Sequence, residues 1–259
     1  MGESVPLRYL EYGHGATPVI LLHGLFGGPG NWTRIMEDLA DDYYFFAVQF
    51  PIDHCEGRCH RKFRGVDELT DYVEELIDQL QLDKVILCGN SLGGQVAVDY
   101  SLRHPDKVDR LIITGSAGLF ERSLNEGKRP QIDRDTIRQR ASEIFYDERH
   151  CTEEIVEDVY RMLHDRRFAR FLIRVAKATR DRNMKDDLSR LHMPTLIIWG
   201  RNDIITPPFV AEEFHEGIPN ARLAYIEECG HAPPIEQPDE FARLMREFLE
   251  DSAPAQVVR

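Results

Sequence analysis

The stretch Val85-Ile86-Leu87-Cys88-Gly89-Asn90-Ser91-Leu92-Gly93-Gly94 decides how the rest of the chain is read. Four consecutive apolar residues at 85–88 have the pattern of a strand buried on both faces. From Leu92 onward the pattern is helical up to Arg103, and Pro105 closes it, because proline disfavours helix in the residue before it. A strand that runs straight into a helix leaves Ser91 on a sharp turn, in a strained and exposed conformation. Gly89 and Gly93 stand where a side chain would collide with the neighbouring strand and helix. Ser91 is therefore the candidate nucleophile.

Working outward, short apolar runs recur at 19–22, 44–48, 111–114, 195–199 and 223–226, rich in β-branched and aromatic residues. Amphipathic segments lie between them. At 66–82, Leu69, Val73, Leu76, Ile77 and Leu80 share one helical face. The segment 238–250 opens with Pro238, suited to a first helical turn, and turns Phe241, Leu244, Met245, Phe248 and Leu249 inward. Strand–helix–strand alternation predicts an α/β fold with a mostly parallel sheet and helices on both faces. A chain of 259 residues, 42% hydrophobic, is ample for one such domain with an insertion.

The alternation stops between residues 119 and 190. That stretch is helical in pattern, with Ile155, Val156, Val159, Met162 and Leu163 at three- and four-residue steps and an apolar stripe continuing to Phe168, Phe171 and Leu172. It holds seventeen Lys and Arg against fifteen Asp and Glu, so the acidity behind the net charge of −13 lies in the remainder, with fifteen bases against thirty acids. The expected organisation is a core domain of residues 1–118 and 191–259 with a helical cap, 119–190, over the carboxyl edge of the sheet, where open α/β sheets bind ligands.

A serine hydroxyl needs a base, and the base an orienting acid. Of ten histidines, His231 stands out, because Gly230-His231-Ala232-Pro233-Pro234 follows the run 223–226 at the carboxyl edge. His104, His150, His164, His192 and His215 lie in or beside helical segments. Asp203 follows the run 195–199 at the same edge and is the candidate acid, against a reading as a turn aspartate before Pro207-Pro208. No carboxylate lies at 115–120, after the preceding strand. For the oxyanion, the main-chain N–H groups of Leu92 and of Leu25, in His23-Gly24-Leu25-Phe26-Gly27-Gly28, are the candidate donors.

With these parts the chain resembles the α/β-hydrolase family over nearly its whole length, in the order Ser91, Asp203, His231 with an HG-type oxyanion turn upstream. The resemblance implies an eight-stranded, mostly parallel sheet, a helical cap and no cofactor. The stretches 89–94 and 220–248, with Asn90 and Ser116-Ala117-Gly118, are similar to the meta-cleavage-product hydrolases, which cut carbon–carbon bonds in ring-fission dienoates. Those enzymes carry a tryptophan after the histidine, where this chain has Ala232, and a cap arginine where it has Val159. Arg161, Arg166, Arg167, Arg170 and Arg174 are nearby.

The expected activity is hydrolysis of a small or medium carboxylic ester through an acyl-enzyme on Ser91. The alternatives are carbon–carbon bond hydrolysis of a vinylogous diketone, or lactone hydrolysis or perhydrolysis on the same triad. The complete triad argues against a non-catalytic receptor. Net acidity argues against nucleic-acid or anionic-membrane partners, so a small-molecule substrate is expected. Residues 1–7 lack a basic start and an apolar stretch, which predicts a cytoplasmic protein. Five cysteines without regular spacing predict reduced thiols. His54, Cys55, Cys59 and His60 match no zinc spacing and predict a polar loop without metal.

Overall fold

The structure, a computed structural model, describes residues 7–52, 64–122 and 133–251. Among these residues seven strands form one sheet: β1 (Tyr9–Gly13), β2 (Thr17–Leu22), β3 (Tyr43–Val48), β4 (Val85–Asn90), β5 (Val108–Thr114), β6 (Thr195–Gly200) and β7 (Ala221–Ile226). Their order is β1-β3-β2-β4-β5-β6-β7, with β1 antiparallel to β3 and every other pair parallel. The helices are α1 (Thr33–Leu39), α2 (Val66–Gln79), α3 (Leu92–Arg103), α4 (Arg134–Ser142), α5 (Glu153–His164), α6 (Arg166–Asp181), α7 (Pro208–Gly217), α8 (Pro233–Glu236) and α9 (Pro238–Glu250).

The expected α/β architecture is present, and all six apolar runs are strands. The strand count needs correcting from eight to seven among the described residues. β1 has no apolar run to betray it: Leu10 and Tyr12 are exposed, as an edge strand allows. Beyond β7 the chain passes directly into α8 and α9, so it adds no further strand there.

Strand periodicity sorts the core into two layers. Ile20, Leu22, Phe46, Val48, Leu87, Leu111, Ile113, Ile197 and Trp199 point to one face and pack with residues of α2, α3 and α7. Their neighbours Val19, Leu21, Phe45, Ala47, Ile86, Cys88, Ile112, Leu196 and Ile198 point to the other, under α1 and α9. Successive side chains of a strand face opposite ways, so an uninterrupted apolar run is what a sheet covered on both sides requires.

Between β5 and β6 lie α4, α5 and α6. The single stripe expected across 155–175 is broken at Asp165, whose carboxylate caps a new helix by accepting from the N–H groups of Arg167 and Phe168. In α6 the residues Phe168, Phe171, Leu172 and Val175 join the larger core layer, so this stripe packs on the body of the protein. The end of α6 is tied to α3: Gln95 Nε2 donates to the carbonyls of Thr179 and Arg182, and buried Asp99 pairs with Arg182 and, at 2.5 Å, with Arg103.

Candidate active site

Strands β2, β4, β6 and β7 run parallel, so the loops that follow them emerge at one edge, and every candidate residue lies on one of those loops. After β4 the backbone turns at Ser91 with φ 56° and ψ −118°, a conformation that non-glycine residues rarely adopt. Three main-chain bonds hold it: Ser91 N–H donates to Thr114 O, and Ser91 O accepts from Gln95 and Ala117. The helix starts so close to β2 that a Cβ on Gly93 would stand 2.1 Å from Leu22 O, which restricts the position to glycine. The turn after β2 touches the same place, since a Cβ on Gly24 would lie 3.2 Å from Ser91 Cβ. Leu25 follows Gly24 in the chain, and Leu92 follows Ser91 as the first residue of α3.

The His23 ring pins the glycine turn, its Nδ1 2.7 Å from Gly24 O while Nε2 accepts from Phe50 N–H at 3.1 Å. Burial pushes His23 down to about 4 against the hydrogen bond to Gly24, so the ring is a neutral strut.

After β6, Asp203 Oδ1 accepts from the N–H groups of Ile205 and Thr206, at 2.8 and 2.9 Å. Its Oδ2 accepts from Thr206 Oγ1 at 2.8 Å and faces His231 Nδ1 at 2.9 Å. The aspartate is thus a turn residue and the partner of the histidine at once. The loop after β7 crosses it, with Asn202 N–H donating to Cys229 O. Asn90 Nδ2, next to the serine, donates to His231 O at 3.1 Å, which carries the histidine loop to the nucleophile turn. Asp203 and His231 are therefore in contact, and the histidine loop is bonded to the residue beside Ser91.

Burial pulls His231 down, but the charge and hydrogen bond of Asp203, with the charges of Glu121 and Glu236, more than restore it, so it titrates above its ordinary 6.5. Protonated, the pair adds stability in full below about 6.5, and this fades as pH rises through the folded value. A base must be neutral, so activity should follow the opposite course, rising with pH through a midpoint above 6.5. Glu121→Gln should move that midpoint down; a profile of kcat/KM against pH that does not move removes Glu121 from the site's electrostatics.

Three residues at this edge escaped the sequence. Thr206 lies three positions after Asp203, where an aspartate turn bonds its own backbone, and that signal was readable. Glu121 stands one position beyond the stretch searched for a carboxylate; burial raises its pKa, against the charges of His231 and of Arg180 in α6. Glu236 is buried behind His231, and no local pattern announces it. The arginines of α5 and α6 face solvent, as a helix bearing so many of them leads one to expect. Arg166, Arg167, Arg170 and Arg174 are exposed, and Arg161 pairs with Asp158 at 3.1 Å. His54, Cys55, Cys59 and His60 lie outside the described residues. Cys88, Cys151 and Cys229 are free thiols.

Residues 19–244 match the family model described as "Alpha/beta hydrolase family". The chain belongs to this family. The hydrolase is 31% identical to a 2-hydroxy-6-oxononadienedioate/2-hydroxy-6-oxononatrienedioate hydrolase of Pseudomonas putida, over 95% of this chain and 92% of that protein. A crystal structure of an alpha/beta hydrolase from the metagenome of lagoon sediments of Mar Chica, Morocco, is 32% identical, with a TM-score of 0.76, covering 96% of this chain and 97% of that one. A meta-cleavage product hydrolase from Pseudomonas fluorescens IP01 is 27% identical with a TM-score of 0.80, covering 95% of each chain. Among the described residues of the hydrolase, no helix is long and apolar enough to cross a membrane.

Proposed function

We propose that Ser91, His231 and Asp203 form a catalytic triad that cleaves the carbon–carbon bond beside a ketone in a ring-fission dienoate, with the N–H groups of Leu25 and Leu92 holding the oxyanion. The observation that carries this reading is the likeness, over 95% of the chain, to a hydrolase named for a 2-hydroxy-6-oxo dienoate substrate. In the proposed reaction His231 takes the Ser91 proton as the oxygen adds to the ketone. Collapse of the tetrahedral oxyanion breaks the bond between the former carbonyl carbon and the dienoate, and the carbanion formed takes its proton from imidazolium. Water activated by His231 then hydrolyses the acyl-serine. The leaving carbanion is tolerable once the dienol has ketonised, its 2-hydroxyl proton being lost as C5 gains one, because the electron pair left at C5 then delocalises through the C3–C4 double bond into the C2 ketone.

Helices α4, α5 and α6 serve in this reading as a cap over the sheet edge. The residues flanking that edge supply an apolar surround: Phe26, Phe120, Tyr146, Ile204 and Phe209 are all exposed, and the rings of Phe120 and Phe209 lie 5.3 Å apart. That supports a substrate whose ketone bears an apolar alkyl or aryl group.

Ester or lactone hydrolysis on the same triad is the second reading. Ala232 in place of the tryptophan favours it, as does Glu121, a carboxylate within the field of His231 that opposes an anionic substrate. The test is a comparison of kcat/KM for a 2-hydroxy-6-oxo dienoate bearing a methyl or phenyl group at C6 with p-nitrophenyl esters of graded length and an acyl homoserine lactone. The dienoate should lead by at least tenfold. An ester or lactone that leads by that margin overturns carbon–carbon cleavage and leaves the second reading.

A further inference from the structure

Glu236 is a carboxylate that the proposed reaction does not use. It is 5% exposed, lies in the short helix α8 behind the histidine loop, and is surrounded by main-chain donors. Its Oε1 accepts from the N–H groups of Gly230 and Ala232, at 3.0 and 3.1 Å, the two residues that flank His231. Its Oε2 accepts from Gly230 again, at 3.0 Å, and from Tyr146 at 2.7 Å. Tyr146 belongs to the insertion between β5 and β6, ninety positions away. The same two segments meet once more, where His231 N–H donates to Ile144 O at 2.8 Å. They are in direct contact, for a Cβ on Gly230 would stand 2.6 Å from that oxygen.

We propose that Glu236 is a positioning residue for the reaction, clamping the backbone on both sides of His231 to the inserted segment 144–146, so that the base and the insertion hold one another in place. The inference rests on the triad reading of His231. A carboxylate suits the task because it has acceptor capacity on both oxygens and no proton to donate. Three of its bonds go to the immediate neighbours of His231, so the backbone that carries the imidazole can shift only if they stretch. Misplacement of a base by about 1 Å costs on the order of 100-fold.

Glu236→Gln is close to isosteric and defeats the clamp in either amide orientation. An NH₂ group in place of Oε2 faces the N–H of Tyr146, and in place of Oε1 it faces the N–H of Ala232. The variant should unfold cooperatively, lose at least about tenfold in kcat on a p-nitrophenyl ester, and keep KM within about twofold. A second reading comes from the His231 imidazole, titrated by NMR on ¹³C-labelled histidine and assigned by its absence in His231→Asn. The charged groups that face it are Asp203 after β6, Glu121 after β5 and Glu236. Loss of the last should lower the midpoint measurably, because one of the negative charges that favour the imidazolium is gone. Glu236→Asp, which keeps the charge and loses reach, should restore the midpoint but not kcat.

A folded Glu236→Gln protein with wild-type kcat and an unmoved imidazole overturns the proposal. Should Glu236→Gln not fold, Glu236→Asp is judged alone, and wild-type kcat in it overturns the proposal equally. If neither variant folds, the carboxylate serves the fold and not the base, which also overturns it. The titration needs no turnover, so hydrolysis that survives Ser91→Ala, which would overturn the triad reading, is distinguishable from failure of this one.

Discussion

Ser91→Ala should reduce hydrolysis of any accepted substrate by about 10⁴-fold or more, with the fold intact. The size follows from what is removed: with no oxygen on residue 91 there is no covalent intermediate, and what is left is uncatalysed attack by water near the oxyanion donors. Stability should change little. Ser91 is half-buried, and the bonds that hold its turn, to Thr114, Gln95 and Ala117, are all main-chain. The strained φ of 56° is shared by serine and alanine, so the exchange leaves that cost in place. The check is kcat together with labelling by a fluorophosphonate. Substantial turnover, or label retained in the variant, would place the nucleophile elsewhere.

For Asp203→Asn we expect about 10⁴-fold off kcat, and here the surroundings of the two carboxylate oxygens force the outcome. Oδ1 is met by two main-chain N–H donors, from Ile205 and Thr206, so the amide NH₂ of asparagine cannot turn that way. It must take the place of Oδ2, where it faces His231 Nδ1. A donor there selects the imidazole tautomer with its proton on Nε2, which cannot accept the proton of Ser91. The hydroxyl of Thr206, now 2.8 Å from Oδ2 and 3.3 Å from Nδ1, can rotate but cannot return the lost charge. Near-normal folding with activity reduced less than tenfold would show that another group, Glu121 foremost, orients the base.

The arrangement of the sheet was readable to an unusual degree because a doubly covered parallel strand has a strong local signature. Six apolar runs were all strands, those of β2 to β6 buried almost throughout and that of edge strand β7 only in part, and α9 began and ended where Pro238 and the apolar spacing indicated. β1 was missed because half of an edge strand faces water, and Tyr9–Gly13 with exposed Leu10 and Tyr12 has no apolar run. In the insertion, periodicity announced helix but passed over the break at Asp165, since the apolar spacing continues across it and the cap is a matter of one side chain.

The site divides along the same line. Ser91, Asp203 and His231 were legible because each follows a recognisable strand, and parallel strands bring their carboxyl ends to one edge whatever lies between them. The glycines at 89 and 93 reported a close approach of backbones before either backbone was seen, as only a missing side chain permits it. Glu236 and Glu121 were not legible. A carboxylate's role depends on which donors and charges surround it, and of those Tyr146 and Arg180 come from the segment between β5 and β6, far off in the chain. The chain's local pattern was enough for the strands and for placing Ser91, Asp203 and His231 at one edge of the sheet, because those signals lie within ten residues. Which charges share the field of His231, and how the insertion is fastened to it, follow from packing between segments ninety or more residues apart, which no short window of sequence records.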